Sequence, residues 1–310
     1  MARHQSFGAS NHRDTSSSNS GGGRHSRSFI SAGGSREEAA ETKETEIIAE
    51  HEPSQHVATT TLEQEQQPQE EGDGNVESTT YCTGDQWMDG AWDDTTMTWK
   101  PNKCTLNPWE DARAVTDCLN TRNIRFCGDS LLRNIVSYIG KKSDPSFAFL
   151  TSWGDARQGA IDFKWTPSAF HQQCSPRTPQ GTTVIHEAAW DMGTYYQGEA
   201  AYKTSITRIT NNLATQTDSG IWVSLHKLHA DTPACKQEPQ CHLNNGPVRE
   251  KAFRDMGDTA ARSAGLRIFS TFMMTNNEFA AAHTGDGVHF DGNVTIAQAN
   301  ALLTYMCTPS

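Results

Sequence analysis

A chain of 310 residues can hold one large domain or two small ones, and with hydrophobic residues at only 35% a good part of it is not core. The net charge of −11 at pH 7 is concentrated at one end: residues 1–78 carry 14 acidic against 6 basic side chains, a balance of −8, which leaves −3 for the rest. A body so close to neutral has no basic stripe for a phosphate backbone, which argues against nucleic acid as a partner, and no apolar run is long enough to span a membrane.

Residues 1–78 are rich in Ser and Gly, then in Glu, Gln and Thr, with almost no aromatic residues. Such a segment cannot offset its ordering entropy by burial, so the composition predicts a disordered acidic tail, acting either as an inert linker or as a flexible stalk or phosphorylated interaction tail. Order is expected from residue 79 onward, as one domain over 79–310 that opens with a Cys- and Trp-rich wrap over 79–120. That wrap holds Cys82, Trp87, Trp92, Trp99, Cys104, Trp109 and Cys118 without clear periodicity, the pattern of a loop-rich segment fixed by large aromatics and disulfides.

From Ile124 the chain alternates short apolar runs with helical patterns, which predicts an α/β fold with a parallel sheet covered by helices. The candidate strands are Ile124–Cys127, Phe147–Leu150, Thr182–His186, Ile221–Leu225 and Leu266–Phe269. The candidate helices are Leu131–Tyr138, Ala200–Leu213, Val248–Ser263 and Thr295–Met306; Pro247 and Gly265 punctuate the third. Right-handed crossovers would bring the C-terminal ends of the strands to one edge, where open α/β sheets place their ligand crevice.

All eight cysteines (82, 104, 118, 127, 174, 235, 241 and 307) lie in the body. An even number at scattered spacing points to disulfides and an oxidising compartment, although Cys127, inside the first strand, is also readable as a buried free thiol. The N-terminus shows neither a signal peptide nor an anchor, so a secretory location, Golgi lumen or extracellular, is expected from the cysteines alone. His226, His229, Cys235, Cys241 and His242 crowd one stretch, but their spacing fits no common zinc module; a disulfide between Cys235 and Cys241 is the preferred reading, and no metal is expected.

The chemistry is expected at Gly128-Asp-Ser-Leu-Leu-Arg-Asn134, where an apolar run meets a turn and a helix begins. A hydroxyl at Ser130 would leave the end of a buried strand and sit in the first turn of a helix, whose unpaired N–H groups favour developing negative charge. Serine at its free pKa is a poor nucleophile and needs a base with an orienting partner. Asp286 and His289, three residues apart with Gly287 between, supply both: the carboxylate reaches Nδ1 while Nε2 points outward. The bland reading is an ordinary surface turn around a solvated histidine. Asp129 and Gly128 are expected to shape the turn. Arg133, one helical turn past the serine, either binds an acidic substrate group or braces the site through a carboxylate.

The Gly128–Asn134 motif and Asp286-Gly-Val-His289 together resemble the PC-esterase branch of the SGNH (GDSL-like) superfamily. That branch includes the plant trichome-birefringence-like polysaccharide O-acetyltransferases and the animal sialate O-acetyltransferase. The wrap is similar too, since in the plant enzymes a Gly-x-Trp and a Trp-x-Pro-x-x-Cys element precede the serine motif, as Trp99-Lys-Pro-Asn-Lys-Cys104 does here. The resemblance covers roughly residues 80 to 307. It implies a three-layer α/β/α fold, a Ser130–His289–Asp286 triad and serine-dependent O-acyl transfer. The acyl group would pass to a carbohydrate or glycan from acetyl-CoA or an acetyl ester, with no bound cofactor and with the Trp-rich wrap as a sugar-stacking surface. Hydrolysis of the acyl ester, or glycan binding without turnover, remain the alternatives. Relatives complete the oxyanion hole with a glycine after the second strand and often an asparagine after the third. Gly154 is the candidate for the first, and His186 stands where the asparagine would be, as an imidazole donor or a structural residue. Related plant enzymes also carry an N-terminal membrane anchor.

Overall fold

The computed structural model describes residues 80–151, 153–170, 174–237 and 246–308; the expected tail over 1–78 lies outside them. A hairpin of β1 (Gly90–Asp93) and β2 (Thr98–Pro101) comes first, antiparallel with Trp92 opposite Trp99. Helix α1 (Ala112–Thr121) follows, its first turn capped by the Asp111 carboxylate accepting from the Arg113 N–H.

A six-stranded sheet forms the centre, in the order β4-β5-β3-β6-β7-β8. Five of its strands are parallel: β3 (Arg125–Gly128), β5 (Ile161–Trp165), β6 (Thr182–Ile185), β7 (Ser219–Val223) and β8 (Arg267–Phe269). The short edge strand β4 (Ala156–Gln158) runs antiparallel to β5. Helices fill the intervals: α2 (Ser130–Ser143), α3 (Ala189–Met192), α4 (Glu199–Gln216), α5 (Pro233–Gln237), α6 (Pro247–Ser263), α7 (Phe272–Thr275), α8 (Glu278–Ala282) and α9 (Gly292–Cys307).

Alternation along the strands makes the layers. Phe126, Val184, Ile221 and Val223 face a core shared with Leu119 of α1, Ile135 of α2 and Leu302 of α9. Their neighbours Cys127, Ile185 and Trp222 face the other core, with Tyr202 and Ile206 of α4 and Phe253 of α6. Strands buried on both sides read as continuous apolar runs, which is why β3, β6 and β7 are visible in the sequence. The chain leaves β3 for β5 on one side and later returns to β6 on the other, so the strand order reverses at the C-terminal end of β3.

The sequence misplaces one strand. Phe147–Leu150 is coil, and the buried Phe147 ring packs over Gly140 of α2. The strand beside β3 is Ile161–Trp165, hidden because Asp162 and Lys164 interrupt its apolar alternation. Asp162 is tolerated there because Arg125 and Arg177 both reach its carboxylate at 3.0 Å.

Disulfides join Cys82 to Cys104, Cys118 to Cys307 and Cys127 to Cys174. Cys127 is therefore not a free thiol: the second core brings Cys174 against it. Cys235 is also disulfide-bonded, and its expected partner Cys241 lies outside the described residues. The neighbouring histidines are engaged, His226 Nε2 with the Val288 carbonyl and His229 Nε2 with that of Thr275. Among the described residues no group of three or more His, Cys, Asp or Glu could hold a metal ion, and no helix is long and apolar enough to cross a membrane.

The indoles of the wrap are spent on packing. Trp87 lies against Phe269, Trp99 is buried and donates to the Trp87 carbonyl, Trp92 stacks on Phe279, and Trp109 donates to the Thr304 hydroxyl. Trp87 and Trp99 are buried, whereas Trp92 and Trp109 are only partly covered.

Candidate active site

β3 ends at Gly128 and α2 begins at Ser130, so Asp129 alone makes the connection. The Asp129 side chain is the N-cap, accepting from the Leu131 N–H at 2.9 Å. The strand end is clamped on both sides, by Thr166 N–H donating to the Gly128 carbonyl and His186 N–H donating to that of Cys127, each at 3.0 Å. Ser130 thus sits at the first helical position, its N–H among the donors that no carbonyl of α2 can reach.

The segment carrying Asp286 and His289 is a tight turn closed by a bridge between Thr284 and Phe290. The Thr284 hydroxyl donates to the His289 carbonyl and accepts from the Gly287 N–H. Gly287 has φ +78°, and a Cβ there would lie 2.2 Å from the His229 carbonyl oxygen, so the position requires glycine. The turn is docked on the segment after β7 by His229 N–H donating to the Gly287 carbonyl at 2.7 Å and by His226 Nε2–H donating to that of Val288 at 3.0 Å.

Two distant pieces of chain meet here. Asp286 Oδ2 lies 2.7 Å from His289 Nδ1, and His289 Nε2 lies 2.8 Å from Ser130 Oγ across a separation of 159 residues. With the Asp286 carboxylate fixing the proton on Nδ1, Nε2 presents its lone pair to the serine hydroxyl. Asp286 Oδ1 also accepts the N–H groups of Val288 and His289 at 2.9 and 2.7 Å. Burial alone would raise the Asp286 pKa, but the His289 ring, these two N–H groups and the imidazole charge outweigh it and hold the carboxylate well below its usual range. The group is therefore an anion at any working pH.

The other residues singled out in the sequence fall into different places. His186 is buried, its Nδ1–H donating to the Val223 carbonyl at 2.9 Å; Nε2 is 3.7 Å from Asp129 Oδ1 and shielded from solvent. Both ring nitrogens thus lie against protein atoms, one at the end of β7 and one in the β3–α2 connection. Gly154 precedes β4 and β5 instead of following the second strand, because that strand is Ile161–Trp165. Arg133 sits over aromatic rings, its guanidinium carbon 5.4 Å from the Trp165 centroid and 5.6 Å from that of Trp153. Burial lowers its pKa, and the charge of Asp129 opposes the shift.

Two features escaped the sequence. His226 read as part of a crowded His/Cys stretch, whereas it is buried under the Asp286–His289 turn, its pKa pushed down by burial and the neighbouring His186 to about 3. Trp153 and Trp165 carry no motif at all; only their meeting with Trp190 in space makes them a group.

No family model matches this sequence, and no curated protein matches it. Among solved structures, an acetylxylan esterase from Geobacillus stearothermophilus is 11% identical, with 60% of this chain and 94% of that chain covered at a TM-score of 0.40. A lipase/acylhydrolase from Enterococcus faecalis is 12% identical over 61% and 98% of the two chains, TM-score 0.43. A GDSL-like lipase from Bacteroides thetaiotaomicron is 10% identical over 64% and 98%, TM-score 0.41.

Proposed function

We propose that this chain is an SGNH-type serine acyltransferase that moves an acetyl group onto a carbohydrate hydroxyl through an acyl-enzyme. The supporting observation is the unbroken line of hydrogen bonds from Asp286 through His289 to the Ser130 hydroxyl. In the first half-reaction Ser130 Oγ attacks the ester or thioester carbonyl as His289 Nε2 takes its proton, and Asp286 stabilises the imidazolium. The oxyanion of the tetrahedral intermediate is met by the Ser130 N–H at the start of α2. Its collapse breaks the bond to the leaving group, which takes the proton from His289, and acetyl-Ser130 remains. In the second half-reaction a sugar hydroxyl gives its proton to His289 and attacks the acetyl carbonyl; collapse of that intermediate breaks the bond to Ser130 Oγ, which takes the proton back from His289, and the new sugar ester leaves. Water in the same position gives hydrolysis, so the acceptor decides the class.

The test is incubation of the full chain with p-nitrophenyl acetate, with and without an oligosaccharide, followed by peptide mass analysis and product analysis. The expected result is one acetyl group on the peptide containing Ser130, absent from Ser130→Ala, and acetylated sugar formed at the expense of acetate. Acetate alone at saturating sugar makes the protein an esterase; no acetylation of Ser130 on any timescale removes the proposal.

A further inference from the structure

On the β5 side of Ser130 three indoles pack edge to face: Trp153 on Trp165 and on Trp190 with centroids 5.2 Å apart in each case, and Trp165 to Trp190 at 6.3 Å, all at interplanar angles of 85–90°. Their place is fixed by the sheet. Trp165 is the last residue of β5, in register with Gly128 of β3, and Arg133, one turn past Ser130, lies against both Trp165 and Trp153. The segments carrying the rings are tied down. Asp155 accepts the Trp165 N–H at 3.0 Å, and Asp191, next to Trp190, accepts the Ser168 hydroxyl and the Ala169 N–H. Yet Trp153 is 62% exposed. An indole packed against two others and still largely open, on the β5 side of Ser130, offers a surface that a ligand can cover.

We propose that Trp153, Trp165 and Trp190 are the platform on which the pyranose rings of the carbohydrate acceptor stack; this rests on the reading of Ser130 as the acyl-carrying residue. The apolar C–H face of a pyranose covers an indole while its hydroxyls stay in water or meet a polar neighbour such as Arg133. The perpendicular arrangement favours this ligand. A flat nucleobase is best gripped between parallel faces and an acyl tail in a closed pocket, whereas one open indole at the edge of a perpendicular cluster, with a guanidinium beside it, suits the C–H face and the hydroxyls of a pyranose. The line continues to Tyr195, stacked on Trp190 at 5.9 Å and 28°. The acceptor is then an oligosaccharide or polymer with one unit at Ser130 and another on Trp153.

The test separates binding from turnover. Isothermal titration of the full chain carrying Ser130→Ala is run with xylohexaose, cellohexaose and mannohexaose, then repeated with Trp153→Ala, Trp153→Phe or Tyr81→Ala added. At least one hexasaccharide binds, Trp153→Ala weakens it by about tenfold or more, Trp153→Phe restores most of the affinity, and Tyr81→Ala, an exposed aromatic in the N-terminal segment, leaves it unchanged. Unchanged affinity in Trp153→Ala, binding of none of the three sugars, or displacement of the sugar by coenzyme A from the same indoles overturns the proposal. Because Ser130→Ala has no nucleophile, sugar binding through Trp153 in a protein whose Ser130 is never acetylated would sink the acyl-transfer reading alone. Acetylation of Ser130 with no effect of Trp153 would sink the platform alone.

Discussion

At the scale of single residues the proposed chemistry depends on three side chains and a fourth beneath them. Removing the nucleophile in Ser130→Ala is expected to lower kcat for acetyl-ester turnover by about a thousandfold or more while the protein stays folded. Asp286→Asn keeps the shape but no longer holds the proton on Nδ1 of His289, and kcat is expected to fall by about three to four powers of ten. Steady-state kinetics check both. His226 predicts a pH effect on stability. Its folded pKa of about 3 lies below its ordinary 6.5, so between those values the unfolded chain binds a proton that the native one refuses, and stability is lost as pH falls through that window. The neighbours that bear on it, His186, His289 and His229, add to the depression. Urea titrations from pH 7 to pH 4 should show a steeper loss for the wild type than for His226→Gln; equal slopes would refute the assignment. Asp286 acts lower down, its depressed pKa withdrawing stability only below about pH 4.

At the scale of elements, the turn Thr284–Phe290 is the piece most sensitive to geometry. Gly287→Ala forces a Cβ onto the His229 carbonyl at positive φ, and a loss of about 2–4 kcal/mol in unfolding free energy is expected with a fall in activity. Denaturant unfolding measures the first and ester turnover the second. This turn and the β3–α2 connection were legible in the sequence because each carries its own local chemistry: an apolar run, a capping Asp129, a glycine where φ must be positive. The strand β5 was not, because its charged Asp162 is neutralised by Arg125 and Arg177 from elsewhere in the chain, a compensation that no window of sequence contains. The same reason hid the cluster of Trp153, Trp165 and Trp190, whose members are isolated in sequence and meet only through the sheet. His186 was legible as a departure with a structural role among its readings, but not its partners, since Val223 ends β7 and Asp129 lies in the β3–α2 connection.

At the scale of the molecule, cross-links and sheet order hold the far ends of the body together. Cys118–Cys307 ties α1 to the end of α9 over 189 residues, and closing so long a loop restricts the unfolded chain by about 5 kcal/mol in the loop-entropy model. The double variant Cys118→Ser/Cys307→Ser is therefore expected to lose about 3–5 kcal/mol by denaturant unfolding. Such bonds suit an oxidising compartment. The same architecture carries Ser130, just past β3, to within 2.8 Å of a histidine on the turn before α9. Reaction of the full chain with a serine-directed fluorophosphonate tests that meeting most directly. Stoichiometric labelling of Ser130 is expected, slowed by about a thousandfold in His289→Gln. Labelling that spares Ser130, or that proceeds at the same rate without the imidazole, would contradict it.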